Sequence, residues 1–92
     1  MNRQDVEAKY KNQGLVTEYG FDKPGEIYEP HRHEKTYLYT LSGSLELKLD
    51  DNDWMELESD TEAIIDENQL HEAKVGPKGW EYVAGWEPDT ND

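Results

Sequence analysis

The feature that most constrains the fold is a period of two in short runs of apolar and polar residues. In "SLELKLDD", Leu45, Leu47 and Leu49 alternate with Glu46 and Lys48, which is typical of a strand with one buried and one solvated face. Other strand-like runs are "GLVTEYGF", "TYLYTLSG", "WMELES", "TEAIID", "LHEAKV" and "WEYVAGW". The segments "KPG", "DDND", "ENQ" and "GPKG" between these runs predict turns. Short strands at this spacing favour an all-β sandwich or barrel.

The 92 residues are expected to form one domain. Residues 1–13 have a helix-forming composition with one apolar pair, Val6 and Tyr10, and predict a short helix or arm. Residues 14–87 carry the strand pattern, and residues 88–92 are expected to form a disordered tail. Because so short a chain buries a thin core, we also expect a homodimer.

The charge balance excludes several classes of partner. There are 22 acidic and 9 basic residues, a net charge of -13, and such a surface repels the phosphate backbone of nucleic acids. No run approaches the roughly 18 apolar residues of a membrane span, and the charged N-terminus does not resemble a signal peptide. Cysteine is absent, so thiolate metal ligands are excluded. We therefore expect a cytoplasmic protein that contacts neither membranes nor nucleic acids.

The three histidines are candidates for a metal site. His31 and His33 are two residues apart, so in a strand their imidazoles point to the same face. His71 lies 38 residues further on, where a closed sheet can bring it opposite the first two. Three imidazoles at one point leave metal coordination positions open for water or substrate. The spacing alone is equally compatible with exposed polar residues at a strand edge.

The sequence around these histidines resembles the small stand-alone cupins, a family of jelly-roll β-barrels with two sequence motifs. In the first motif, a glycine and five residues precede H-x-H; here Gly25, "EIYEP" and "HRH" match, and Gly43 closes the motif. In the second motif His71 aligns with the histidine, and "HEAKVGPKG" is similar to the usual ending of small cupins. The resemblance covers about Leu15 to Trp86. It implies a single cupin jelly-roll β-barrel in which His31, His33 and His71 bind a divalent metal.

The first motif departs from the family at its fourth ligand. Thr36 stands where cupins have a glutamate, and the gap after His33 is one residue short. Three alternatives follow: a site made of histidines alone, a site in which Glu34 supplies the fourth ligand, or a barrel that has lost its metal.

The second motif departs from the family at its turn residues. Asp60, Asp66 and Asn68 replace the usual Gly, Pro and Gly, and Val75 replaces an Asn. Asp and Asn tolerate the left-handed backbone that glycine supplies, so the fold is expected to survive these changes.

The alignment also predicts a ligand pocket. With Thr36 on the inner face of the barrel, Leu38 follows it on that face, and Tyr37 and Tyr39 lie on the opposite face. The residues expected to contact a small-molecule ligand or substrate are Thr36, Leu38 and Tyr82.

Two functions remain open from the sequence. The resemblance implies a metal-dependent enzyme of small-molecule metabolism, of the dioxygenase or isomerase type, with iron, zinc, nickel or manganese as the divalent metal; iron would suit oxygen chemistry, and zinc or nickel would act as a Lewis acid. The alternative is a cupin that binds or senses a ligand without turnover. No residue is predicted to act as a catalytic acid or base.

Overall fold

The computed structural model describes residues 1–88, which form one helix and six strands. The predicted tail over residues 88–92 lies, from residue 89 onward, outside the described residues. Within residues 1–88 no helix has the length and apolar character needed to cross a membrane. The elements are α1 (Arg3–Asn12), β1 (Val16–Asp22), β2 (Ile27–His31), β3 (Thr36–Leu49), β4 (Met55–Leu57), β5 (Glu62–Ile65) and β6 (His71–Trp86).

The long strands β3 and β6 pair with each other along their lengths and form the centre of the sheet. On one side, β1 and β2 pair with the two halves of β6. On the other side, β5 and β4 pair with the two halves of β3. All these pairs are antiparallel. The predicted all-β class with a short N-terminal helix is therefore confirmed.

The two central strands differ from the sequence prediction. "TYLYTLSG" and "SLELKLDD" form one continuous strand, and "GPKG" lies inside β6 rather than in a turn between strands. Gly43 pairs with Trp80 and Leu45 pairs with Val75, so residues 76–79 bulge outward beside a single residue of β3. A β-carbon on Gly43 would lie 2.0 Å from the carbonyl oxygen of Gly79. The turn-forming residues thus bend both strands without ending them.

Apolar side chains form separate clusters on the two faces of the sheet, which we call the inner and outer faces. Leu45 and Leu47, each 1% exposed, belong to the inner cluster as their alternation predicts. The inner cluster comprises Leu45, Leu47, Leu57, Ile65, Ala73, Val75 and Trp80. The outer cluster comprises Val6, Tyr10, Leu15, Tyr39 and Val83.

Helix α1 covers the outer face. Its N-terminus is capped by Asn2, whose side chain accepts a hydrogen bond from the Asp5 amide. Val6 and Tyr10 are fully buried against the sheet, and the Tyr10 hydroxyl donates a 2.6 Å hydrogen bond to Glu62 on β5. Since α1 occupies the outer face, the inner face is the side that can hold a ligand.

Candidate metal centre and ligand cavity

The three histidines converge at one end of the inner face. His31 ends β2 and pairs directly with His71, the first residue of β6. His33 does not share a strand with His31, as the sequence suggested, but reaches the site from the loop before β3. One ring nitrogen from each histidine lies within 4.8 Å of the other two. The ring centroids are 4.1 Å apart for His31 and His71, 4.5 Å for His33 and His71, and 5.2 Å for His31 and His33.

Each imidazole is oriented by its Nδ1 atom, which lies within hydrogen-bond distance of a backbone carbonyl. A neutral imidazole that donates through Nδ1 keeps the lone pair of Nε2 for a metal. Such hydrogen bonds fix the tautomer and orientation of metal-ligating histidines. The accepting carbonyls are those of Glu29, Glu34 and Gln69, at 2.6, 2.7 and 2.9 Å from the rings of His31, His33 and His71.

His71 is the most deeply placed of the three, at 4% exposed. Burial lowers its pKa below the usual 6.5, the neighbouring His31 and His33 lower it further, and the hydrogen bond to the Gln69 carbonyl opposes the shift. At His71 the neutral imidazole, which is the form that binds metals, therefore persists to a lower pH than in a fully solvated histidine.

A cavity of about 160 Å³ extends from the three histidines along the inner face. Thr36, Leu38 and Tyr82, the residues expected to contact a ligand, all line it; that they contact a ligand stays a prediction. Trp80 forms part of the wall, and its indole N–H donates a 2.9 Å hydrogen bond to the buried hydroxyl of Thr40. This hydrogen bond satisfies both buried polar groups and fixes the position of Trp80 in the wall.

This architecture is similar to that of proteins of known structure. No family model matches the sequence, and no curated protein shows significant sequence similarity. Solved structures do match. An RmlC-like cupin from Shewanella frigidimarina superposes with a TM-score of 0.72 at 18% identity, covering 86% of this chain and 70% of that one. The fold is that of the cupins.

Two further cupin-fold neighbours differ in length. KdgF from Halomonas sp. matches with a TM-score of 0.69 at 18% identity, over 83% of this chain and 72% of that one. The DMSP lyase DddQ from Ruegeria pomeroyi matches with a TM-score of 0.75 at 15% identity, over 86% of this chain. The chain spans only 41% of DddQ. At these identities the matches establish the fold.

At two positions where the cupin motif has glycine, this chain has another residue but keeps the left-handed backbone conformation. Asp60 and Asn68 have positive φ angles of 64° and 60°, as expected for residue types that tolerate the left-handed region. The amide of Asn68 donates a 2.9 Å hydrogen bond to the carbonyl of His33. The altered turn of the second motif therefore still supports the loop that carries a candidate ligand.

The usual glutamate position does not supply a fourth ligand. Thr36 is 7% exposed, and its hydroxyl donates a 3.0 Å hydrogen bond to the carbonyl of Glu34. The Glu34 carboxylate is not part of the histidine cluster found among residues 1–88. Of the two metal-binding alternatives that the sequence left open, the geometry favours a site made of histidines alone.

The sequence reasoning missed Glu18 and Tyr28, which also line the cavity. Glu18 is on β1 opposite Ala84, which in turn pairs with Leu38. Strand parity was the available signal, because "VTEYGFD" places Glu18, Gly20 and Asp22 on one face. The Tyr28 hydroxyl donates a hydrogen bond to the Asp22 carboxylate.

Gly20 makes room for the Tyr82 hydroxyl. A β-carbon at Gly20 would lie 2.6 Å from the hydroxyl oxygen of Tyr82, which is closer than nonbonded atoms approach. Burial raises the pKa of Tyr82 to about 12, and the carboxylates of Asp22, Glu18 and Glu26 add to the shift. At neutral pH, Tyr82 is therefore an uncharged hydrogen-bond donor in the cavity wall.

Proposed function

We propose that this cupin-fold chain binds a divalent metal through His31, His33 and His71 and acts on a small molecule held in the adjoining cavity, as a metal-dependent enzyme of the dioxygenase or isomerase type. The observation that carries the proposal is the histidine arrangement: one ring nitrogen of each histidine lies within 4.8 Å of the other two, and each Nδ1 atom lies within hydrogen-bond distance of a backbone carbonyl. Histidines that are merely exposed at a strand edge can hydrogen-bond to water, so they do not need three separate backbone carbonyls as acceptors.

The donor set limits the metal. Imidazole ligands suit iron, zinc and nickel, whereas manganese favours oxygen ligands. Bound iron would supply oxygen activation, and bound zinc or nickel would supply Lewis-acid polarisation of a ligand oxygen. Because three neutral imidazoles fill three positions, the remaining positions face the cavity or solvent.

The protein groups around the site would position the substrate. The apolar side chain of Leu38 and the stacked rings of Trp80 and Tyr82, 4.1 Å between centroids, line the cavity and would contact the apolar part of a substrate. The Tyr82 hydroxyl offers a hydrogen bond to an acceptor on the substrate. The Thr36 hydroxyl donates a hydrogen bond to the carbonyl of Glu34 and so fixes the loop that carries His33.

The neighbours agree with a small-molecule site. One is described as a DMSP lyase, and the present chain matches 41% of its length. Substrate identity does not transfer at 15% identity.

A second candidate function is ligand binding or sensing without turnover. The observation that favours it is Thr36 at the usual glutamate position, which leaves the site without a carboxylate ligand. Both functions need the same metal and cavity, so they differ only in what happens to a bound molecule.

Oxygen consumption and ligand retention distinguish the two functions. We expect the iron-loaded chain to consume oxygen with at least one member of a panel of small chelating diols and diketones, and the His71→Ala variant to lose this activity. Retention of a panel member by metal-loaded protein, recovered unchanged, would support the sensing function instead. If azide leaves the visible spectrum of cobalt-loaded protein unchanged, the open coordination positions do not exist and both functions fail.

A further inference from the structure

Glu18 is a carboxylate at the metal end of the cavity that the proposed function does not use. It lines the cavity beside the histidines, and it also lines a second, more open cavity together with His33 and Glu34. Within residues 1–88 its carboxylate makes no hydrogen bond or ion pair. Glu18 is an exposed residue that lines both cavities, and a carboxylate with no other partner in this part of the chain is available to a ligand.

No lysine or arginine lines either cavity in the part of the chain that the structure describes. The two cations nearest in sequence to the histidines are engaged elsewhere. Arg32 donates a 2.6 Å hydrogen bond to the carbonyl of Asn68, and the ammonium of Lys35 lies 5.4 Å from the ring centroid of Tyr37, which packs against the outer-face cluster. Neither can neutralise Glu18 without leaving its present contact.

Glu18 is one of several carboxylates that act on Tyr82 in the cavity wall. Its pKa is raised by Asp22, Glu18 and Glu26 in addition to burial, so several carboxylates act together on this wall. An anionic group placed here would meet that field with no lysine or arginine among the described residues of the cavity lining to offset it.

We propose that Glu18 is a specificity-determining residue, and that the cavity takes a small molecule that carries, beside its metal-binding group, a neutral or cationic group that donates a hydrogen bond to this carboxylate. The inference rests on the proposed function only in assigning one group of the molecule to the metal. Molecules with a second anionic group, such as dicarboxylates, are disfavoured, because that group would face Glu18.

The cavity volume sets the size of this molecule. A cavity of roughly 150 Å³ accommodates benzene, so the 160 Å³ here fits one ring or a chain of about six to eight heavy atoms, with a head group at the open mouth.

Three probes of one shape and different charge test the inference: benzamidine (cation), benzamide (neutral donor) and benzoate (anion). Their dissociation constants are measured at pH 8 for the full chain in zinc-loaded and chelator-treated forms. The variants are Glu18→Gln and, as a matched control, Glu46→Gln, an exposed glutamate on β3 outside both cavities.

We expect the chelator-treated wild type to prefer benzamidine and benzamide over benzoate. Glu18→Gln should shift the benzamidine-to-benzoate affinity ratio about tenfold or more towards benzoate in both forms, because one unit of negative charge is removed close to the ligand. Glu46→Gln should leave the ratio unchanged. An equal ratio in wild type and Glu18→Gln, or a preference of the chelator-treated wild type for benzoate, would overturn the inference.

Zinc content, measured on the same samples, distinguishes failure of the proposed role of Glu18 from failure of the proposed function. Metal-loaded protein with an unchanged ratio overturns only the role of Glu18. A chain that binds no zinc overturns the metal centre, while the chelator-treated series still decides the role of Glu18.

Discussion

Gly20 shows how a single missing side chain shapes the cavity. Its backbone does not need glycine, since its φ is not positive, yet a β-carbon there would contact the Tyr82 hydroxyl at 2.6 Å and the ring carbon that bears it at 2.7 Å. The glycine is therefore explained by its neighbour on the adjacent strand.

We predict that Gly20→Ala lowers the free energy of unfolding by about 1–3 kcal/mol, the usual cost of overpacking. In a Tyr82→Ala background the same change should be neutral or stabilising, because the collision is gone and alanine restricts the unfolded chain. Urea denaturation of the four proteins in this double-mutant cycle measures the coupling. Additive effects of the two substitutions would contradict the account.

At this scale the sequence singled out the histidines because they are rare and lie at motif positions of the cupins. It missed Glu18 because it is one of 22 acidic residues, and strand parity groups it with Gly20 and Asp22 without saying which face meets the cavity. The pairing of Glu18 with Ala84, and of Ala84 with Leu38, supplies that information, and such long-range pairing is not contained in the local pattern.

Helix α1 is the element that closes the outer face, and Tyr10 is its anchor. Tyr10 is fully buried, and its hydroxyl donates to Glu62. Burial and this hydrogen bond raise its pKa far above the usual 10. In native protein Tyr10 therefore keeps its proton at pH values where the unfolded chain releases it.

We predict a loss of stability above pH 10 that depends on Tyr10. The native state binds more protons than the unfolded state in this range, so the free energy of unfolding falls as pH rises. Tyr10→Phe should cost about 1 kcal/mol at pH 7 through the lost hydrogen bond and should reduce the slope between pH 10 and 11.

Urea denaturation at pH 7, 10 and 11 measures both effects, with Tyr37→Phe as the control. Tyr37 packs beside Tyr10, at 5.8 Å between ring centroids. An unchanged slope in Tyr10→Phe would show that the hydroxyl does not remain protonated in the native state.

The elements were largely predictable, because period-two alternation marks strands and Val6 and Tyr10 mark a helix face. The boundaries in the two long strands were not. Residues such as "GPKG" end a strand in isolation, but here β3 holds both flanks of the bulge in register. Pairing between distant segments overrides the local turn signal.

At the scale of the whole molecule, a cupin barrel of 92 residues combines a thin core with large apolar side chains on its surface. Ile27 is 62% exposed and Trp54 47% exposed, and both line one surface cavity. The homodimer expected from the sequence stays a prediction, with this surface as the part of the molecule that it would cover.

The acidic surface bears on the proposed metal site at this scale. A net charge of -13 attracts cations and would raise the local concentration of metal ions. In the proposed site, selectivity among those ions would come from the imidazole ligands.

Metal stoichiometry tests the central claim most directly. Chains without a histidine tag are reconstituted with iron, zinc, nickel and manganese, and metal content is measured for wild type, His31→Ala, His33→Ala, His71→Ala and the control Glu34→Ala. We predict one metal ion per wild-type chain, near-complete loss in each histidine variant, and full retention in Glu34→Ala. Substoichiometric metal that is indifferent to the histidine substitutions would contradict the account, and loss in Glu34→Ala would show that this carboxylate completes the site.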